Sequence, residues 1–232
     1  MDSFHYVDLF ATKGIEYILI LGFLAVLVWY WRYLNKPVVS GAKAVREKIK
    51  TTMVDWFVLA NDFYYHPGHT WAVPEQEGVL RVGVDDFAQK LVGKPSAIEL
   101  PTVGEHLVQG DVGWKMKVDS KTIDVLSPAN GEVIAVNERV LQSPNLINED
   151  PYKNGWLLKI KTPQMKANLK NLLNGNMARA WMEYTTHQIS RTLSNDTVPV
   201  LQDGGKIVPG FAKEIEPQNW DKLARHFLLT DD

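Results

Sequence analysis

The sequence has no cysteine in its 232 residues. That excludes disulfide bridges, thiolate-ligated zinc or iron–sulfur centres and thiol nucleophiles, while leaving the redox compartment open. Any redox group has to be attached to the chain or borrowed from a partner. An excess of positive charge is also missing: 25 Lys and Arg against 27 Asp and Glu leave a formal net charge of −2, so no basic field speaks for nucleic acid. Catalytic groupings are scarce too. His66 and His69, in HPGH, could pinch a metal, but no carboxylate or third histidine accompanies them in sequence. A strand start where His69-Thr70-Trp71 packs is the plainer reading. Asp85-Asp86 reads as a helix cap, and Gly204-Gly205 lacks the surroundings of a phosphate loop. No metal site, no catalytic residue and no self-standing enzyme are expected.

What is present is 45% hydrophobic residues, enough for one core of ordinary domain size with segments to spare. Residues 15–34 are expected to form a transmembrane helix. The run YILILGFLAVLVWYWRYL is apolar except for Arg32 and approaches the ~20 residues a bilayer-crossing helix needs. Trp29, Tyr30, Trp31 and Tyr33 crowd its end like an interfacial belt. Asp2 and Asp8 stand where a signal peptide would carry basic residues, and no small-residue cleavage site follows. Past the run, Arg32, Lys36, Lys43, Arg46, Lys48 and Lys50 face only Glu47. Charge asymmetry therefore puts residues 1–14 outside, as a periplasmic flank, and the body in the cytoplasm of a single-pass inner-membrane protein. The juxtamembrane linker, 35–58, has helical spacing in Val45, Ile49, Met53 and Trp56. It would either lie along anionic headgroups or serve as a solvated spacer.

From 59 to 188 short apolar runs are punctuated by Gly and Pro, an all-β signature. FYYHPGHTWAV, GVLRVGV and SAIELP read as strands, interrupted by a short helix capped by Asp85 or Asp86 and stopped by Gly93. A β-hairpin is expected within GDVGWKMKVDSKTIDVLSPANGE: Trp114, Met116 and Val118 alternate on one arm and Ile123, Val125 and Leu126 line the other, around the turn residues Asp119-Ser120-Lys121-Thr122. A strand over 132–137, a loop over 141–148, a strand over 155–161 and a mostly helical stretch over 165–185 complete a predicted β-sandwich or flattened barrel with peripheral helices. In the C-terminal extension, 189–232, a small hairpin is expected around Gln202-Asp203-Gly204-Gly205. A helix follows over 216–228, with Trp220, Leu223, Ala224 and Phe227 on one face. That face either packs back on the body or docks into a partner.

The phrases FYYHPGHTWAV, VGVDDFAQKLVGKPSAIELPTVGEHLVQGD, LSPANGEVIAVNERV and SPNLINEDPYKNGWLLKIK, in this order, resemble consecutive motifs of the glycine cleavage system H protein family over roughly 59–188. The resemblance implies a mainly β, lipoyl-type barrel-sandwich hybrid that presents a lipoylated hairpin. At the tip the chain departs from the family, whose pattern is Gly-Asp, a few apolar residues, then Glu-Ser-Val-Lys-Ala. Held without gaps on Gly110-Asp111 and on Pro128, Gly131 and Glu132, the family's lipoyl lysine falls on Ser120 and its glutamate on Lys117. A gap would put it on Lys121, but in a tight hairpin that requires a compensating bulge. Two readings stay open. In the first the carrier lysine is displaced, no cofactor is bound, and the protein is a non-catalytic accessory subunit of a membrane respiratory or electron-transfer complex, with integral membrane proteins and lipid as partners. In the second it is a genuine lipoyl carrier, tethered to the membrane and modified on Lys121.

Overall fold

The computed structural model describes residues 13–34, 51–54, 56–195 and 207–231. The chain divides into two units, Met1–Glu47 and Lys48–Asp232. In the first, Lys13–Leu34 is one helix of 22 residues (α1). Its apolar side chains from Tyr17 to Trp31 are exposed wherever they are described. The expected transmembrane span is not found: among the described residues no helix is long and apolar enough to cross a membrane. The outer flank (1–12), most of the linker (35–50) and the small hairpin (196–206) lie outside the described residues.

The second unit begins with a strand pair rather than a helix. Where helical spacing through Met53 and Trp56 was expected, β1 (Thr51–Val54) and β2 (Phe57–Ala60) form an antiparallel pair, with Met53 opposite Val58. Threonine, valine and phenylalanine fit a pleated, half-buried surface better than a helix, and here that preference wins. β3 (Tyr64–His66), β4 (Thr70–Gln76) and β5 (Val79–Val84) follow. Next comes α2 (Asp86–Val92), whose N-cap Asp85 accepts a hydrogen bond from the Ala88 N–H and whose C-cap is Gly93. The expected cap and stop are both present. β6 (Ala97–Glu99), β7 (His106–Leu107), β8 (Val112–Val118), β9 (Lys121–Leu126) and β10 (Gly131–Val136) continue the sheets. The predicted loop is helical instead, as α3 (Glu138–Gln142) and α4 (Leu146–Glu149). After β11 (Leu158–Lys161), the predicted helical stretch is broken into α5 (Met165–Lys170) and α6 (Gly175–Asn195). The tail forms α7 (Phe211–Ile215) and α8 (Trp220–Leu228).

The sheets are antiparallel throughout: six strands in the order β3-β4-β5-β11-β10-β7, and three in the order β6-β8-β9. One core joins them. Trp71, Leu80, Leu158 and Ile160 from the larger sheet, Met116, Ile123 and Val125 from the smaller, and Phe87 and Leu91 from α2 are fully buried in a single cluster. This mainly β body agrees with the fold class expected from sequence. It leaves one edge hairpin, β8–β9, projecting its turn.

Candidate functional site: the hairpin tip

Alternation builds the hairpin. Trp114, Met116 and Val118 face the core while Lys115 and Lys117 face out, as the two-residue period of a strand requires. On the return arm Ile123, Val125 and Leu126 are buried. Outward-facing cross-strand ion pairs tie the arms to their neighbours, Lys115 to Asp124 at 3.6 Å and Lys117 to Glu99 at 2.5 Å. The Lys117 ammonium holds the Glu99 carboxyl below the usual carboxylate range.

The turn is tighter than its four polar residues suggested. Val118 pairs with Lys121, so Asp119 and Ser120 alone make the reversal, while Lys121 and Thr122 already belong to β9. Asp119 adopts φ 53°, the left-handed conformation that short hairpin turns need and that aspartate tolerates better than most residues. Ser120 therefore sits at the apex and Lys121 beside it. Near the base of the hairpin the register shifts between Val112 and Trp114, a β-bulge at Gly113. A side chain at Gly113 would lie 3.0 Å from Ser127 Cβ, so the bulged strand packs directly on the end of the return arm.

Two residues that the sequence reading did not select complete the tip. Lys121 Nζ lies 3.3 Å from Asp221 Oδ2 on α8, with side chains 42% and 10% exposed. On the other side of the turn Asp119 pairs with Lys213 of α7. Their partners on the hairpin are 94 and 100 residues away in sequence, and only their place on a short amphipathic tail marked them. The tail's apolar face packs back on the body. Trp220, Ala224, Phe227 and Leu228 are buried, and the Phe227 ring lies 5.5 Å from Phe87.

The histidines of HPGH serve separate purposes. His66 Nδ1 accepts a hydrogen bond from the Gly68 N–H at 3.0 Å, and burial, with neighbouring His69 second, holds His66 below the ordinary histidine range. His69 Nδ1 lies 2.9 Å from Asp85 Oδ2, both side chains buried, and its ring stacks on Phe87 with centroids 3.8 Å apart. Asp85 thus caps α2 and anchors His69. Asp86 accepts from the Val58 N–H and binds Lys90. Among the described residues no group of three or more metal-ligating side chains could hold a metal ion. An open cleft of about 610 Å³ is lined by residues including His106, Asn130, Gly131, Lys161 and Gln164, and takes none from β8, β9 or their turn. The tip is a presented surface, suited to carrying a group outward rather than enclosing a substrate.

Residues 63–185 match the family described as glycine cleavage H-protein. A probable glycine cleavage system H protein of Thermococcus kodakarensis is 40% identical over 128 residues, 55% of this chain and 92% of that protein. The glycine cleavage system H protein of Alteromonas mediterranea is 43% identical over 106 residues, 44% of this chain and 80% of the other. Among solved structures, a crystal structure of a glycine cleavage system H protein from Mycobacterium marinum aligns with a TM-score of 0.43 and 27% identity, covering 45% of this chain and 87% of that one. The helices α7 and α8 fall after the matched span. H proteins are carriers rather than catalysts, and this chain is not a self-standing enzyme. With the mainly β body, the projecting hairpin and the match across 63–185, the chain belongs to the glycine cleavage H-protein family.

Proposed function

We propose that this chain is a lipoyl carrier of the H type, with Lys121 as the lysine that bears the group. The carrying observation is the bulge at Gly113. A one-residue displacement of the lysine toward the return arm requires the leading arm to absorb an extra residue, and a bulge does that without unpairing the strands. Lys121 then stands beside the turn, 42% exposed, where an amide-linked arm has room to project. The attached dithiolane supplies the redox and group-carrying chemistry. The chain supplies a rigid hairpin, the neighbouring charges and the orientation of Nζ. Enzymes that load the arm and enzymes that read it are its partners. The relatives support this over the accessory-subunit reading, because they are named as glycine cleavage H proteins along most of their own lengths.

The test uses protein isolated from its own host under lipoate-replete growth. An antibody to protein-bound lipoate should detect the wild type and Lys117→Arg but not Lys121→Arg. A signal that survives in Lys121→Arg, or none in the wild type, refutes the assignment.

The accessory-subunit reading keeps one observation of its own. On α1, Ile18, Leu19, Leu21, Phe23 and Val26 are each more than 60% exposed. A contiguous apolar surface of that kind is normally covered by lipid or by another apolar protein surface. On this reading the protein is held at the inner membrane and co-purifies in mild detergent with integral membrane proteins in fixed ratio. A lone monodisperse chain counts against it.

A further inference from the structure

The C-terminal helices, which lie after the span matched to the family, pack beside the hairpin that carries Lys121. Three contacts join them to the hairpin: Lys213 to Asp119 before the apex, Asp221 to Lys121 after it, and Arg225 Nη2 to the Thr122 carbonyl at 3.5 Å. The two ion pairs straddle the turn with opposite polarity, so each charged hairpin residue flanking Ser120 meets a tail residue of the other sign. Asp221 is 7% exposed, and Arg225 lies 3.8 Å from the same carboxylate oxygen. Below the ion pairs, Phe227 rests on Phe87. The α8 C-terminus reaches the His66–His69 loop, where a side chain at Gly68 would lie 2.8 Å from the Leu228 carbonyl. On the α7 side the Gly210 N–H donates to the Lys90 carbonyl at 2.6 Å.

We propose that α7 and α8 form an intramolecular clasp over the hairpin, with Asp221 as the positioning residue that holds Lys121 Nζ against the protein. Acylation of that amine then requires α8 to let it go. In the acylation an activated acyl donor such as an acyl adenylate is attacked by Nζ. The C–N bond forms, the C–O bond of the mixed anhydride breaks, and AMP leaves with the bonding electron pair. Nζ, starting as an ammonium ion, gives up one proton to become the nucleophile and a second as the amide forms. While Nζ is bound to Asp221 its reach toward the acyl carbon is restricted, even though Asp119 and Ser120 at the apex stay exposed. The clasp thus makes loading of the carrier dependent on tail position. This bears on the carrier reading above through Lys121, but the clasp itself is measurable without any lipoate.

The experiment follows acetylation of full-length, unlipoylated protein by N-hydroxysuccinimidyl acetate, with peptide mass spectrometry reporting the rate at each lysine. Lys115, on the same hairpin but 3.6 Å from Asp124, is the internal reference. Asp221→Asn keeps the shape and removes the charge. Lys213→Met breaks the opposite side of the clasp and serves where the first variant folds poorly. The rate at Lys121 relative to Lys115 should rise about threefold or more in Asp221→Asn, the size expected for losing one partly screened ion pair, and by less in Lys213→Met. Unchanged relative rates in both variants overturn the clasp. A second arm supplies lipoate, ATP and a lipoate ligase. Faster loading of Asp221→Asn than of wild type supports the gating. If no variant is loaded, the carrier reading fails, and the clasp stands or falls on the acetylation rates alone.

Discussion

Replacing Phe227 by alanine should release the tail while leaving the body folded. Phe227 is 8% exposed, with its ring 5.5 Å from Phe87, and Phe87 is itself packed against Phe57 at 4.9 Å and Phe211 at 5.9 Å. Truncating a buried phenylalanine to alanine costs about 3–5 kcal/mol in lost transfer energy and residual cavity. The low end applies here, because α8 lies on the outside of the core and can settle into part of the gap. About 3 kcal/mol off the free energy of local opening corresponds to about a hundredfold rise in the open population. Native-state hydrogen exchange reads this directly. The amides of α8 should exchange about a hundredfold faster, while those of β4, β5 and β11 stay at wild-type rates. Equal acceleration everywhere would mean that the tail is not a separately opening element. No acceleration in α8 would mean that Phe227 does not anchor it.

Further outcomes follow from individual residues. Gly131 has φ +150°, and a side chain there would lie 2.7 Å from Ile160 Cγ2 and closer still to the Lys161 carbonyl. Gly131→Ala should therefore lower stability by about 2 kcal/mol or more in urea titration, and a change within about 0.5 kcal/mol, the range of ordinary surface substitutions, would refute the steric argument. His66 is held below its ordinary range by burial first and His69 second, so its folded-state value is depressed. The stabilisation it reports is complete above the unfolded value of about 6.5 and is lost as the pH falls through the folded value. The urea midpoint of the wild type should drop more steeply on acidification than that of His66→Asn. Parallel pH profiles would contradict this.

The body was legible because its signals are local and agree with one another. Alternation in Trp114, Met116 and Val118, the Asp85 cap and the Gly93 stop each act within a few residues, and each appears in the structure. Errors arose where local signals were weak or conflicted. Met53 and Trp56 fall at helical spacing by chance, and β-rich neighbours with strand pairing override it. The four polar residues of the turn look alike in sequence. Only pairing of Val118 with Lys121 separates the apex from the arm, and that pairing depends on a bulge placed at Gly113. Asp221 and Lys213 could not be assigned to the tip, because no local rule brings a charge about a hundred residues away onto a particular hairpin residue. Trp220, Ala224 and Phe227 did show that the tail had an apolar face to bury, without showing where.

Mass measurement of the intact protein from its own host, grown with ample lipoate, tests the central claim most directly. The account predicts one lipoyl increment, localised to Lys121 after digestion and absent from the Lys121→Arg variant. An unmodified mass under those conditions would contradict it, leaving an H-type body whose hairpin lysine is a tail-bound structural residue.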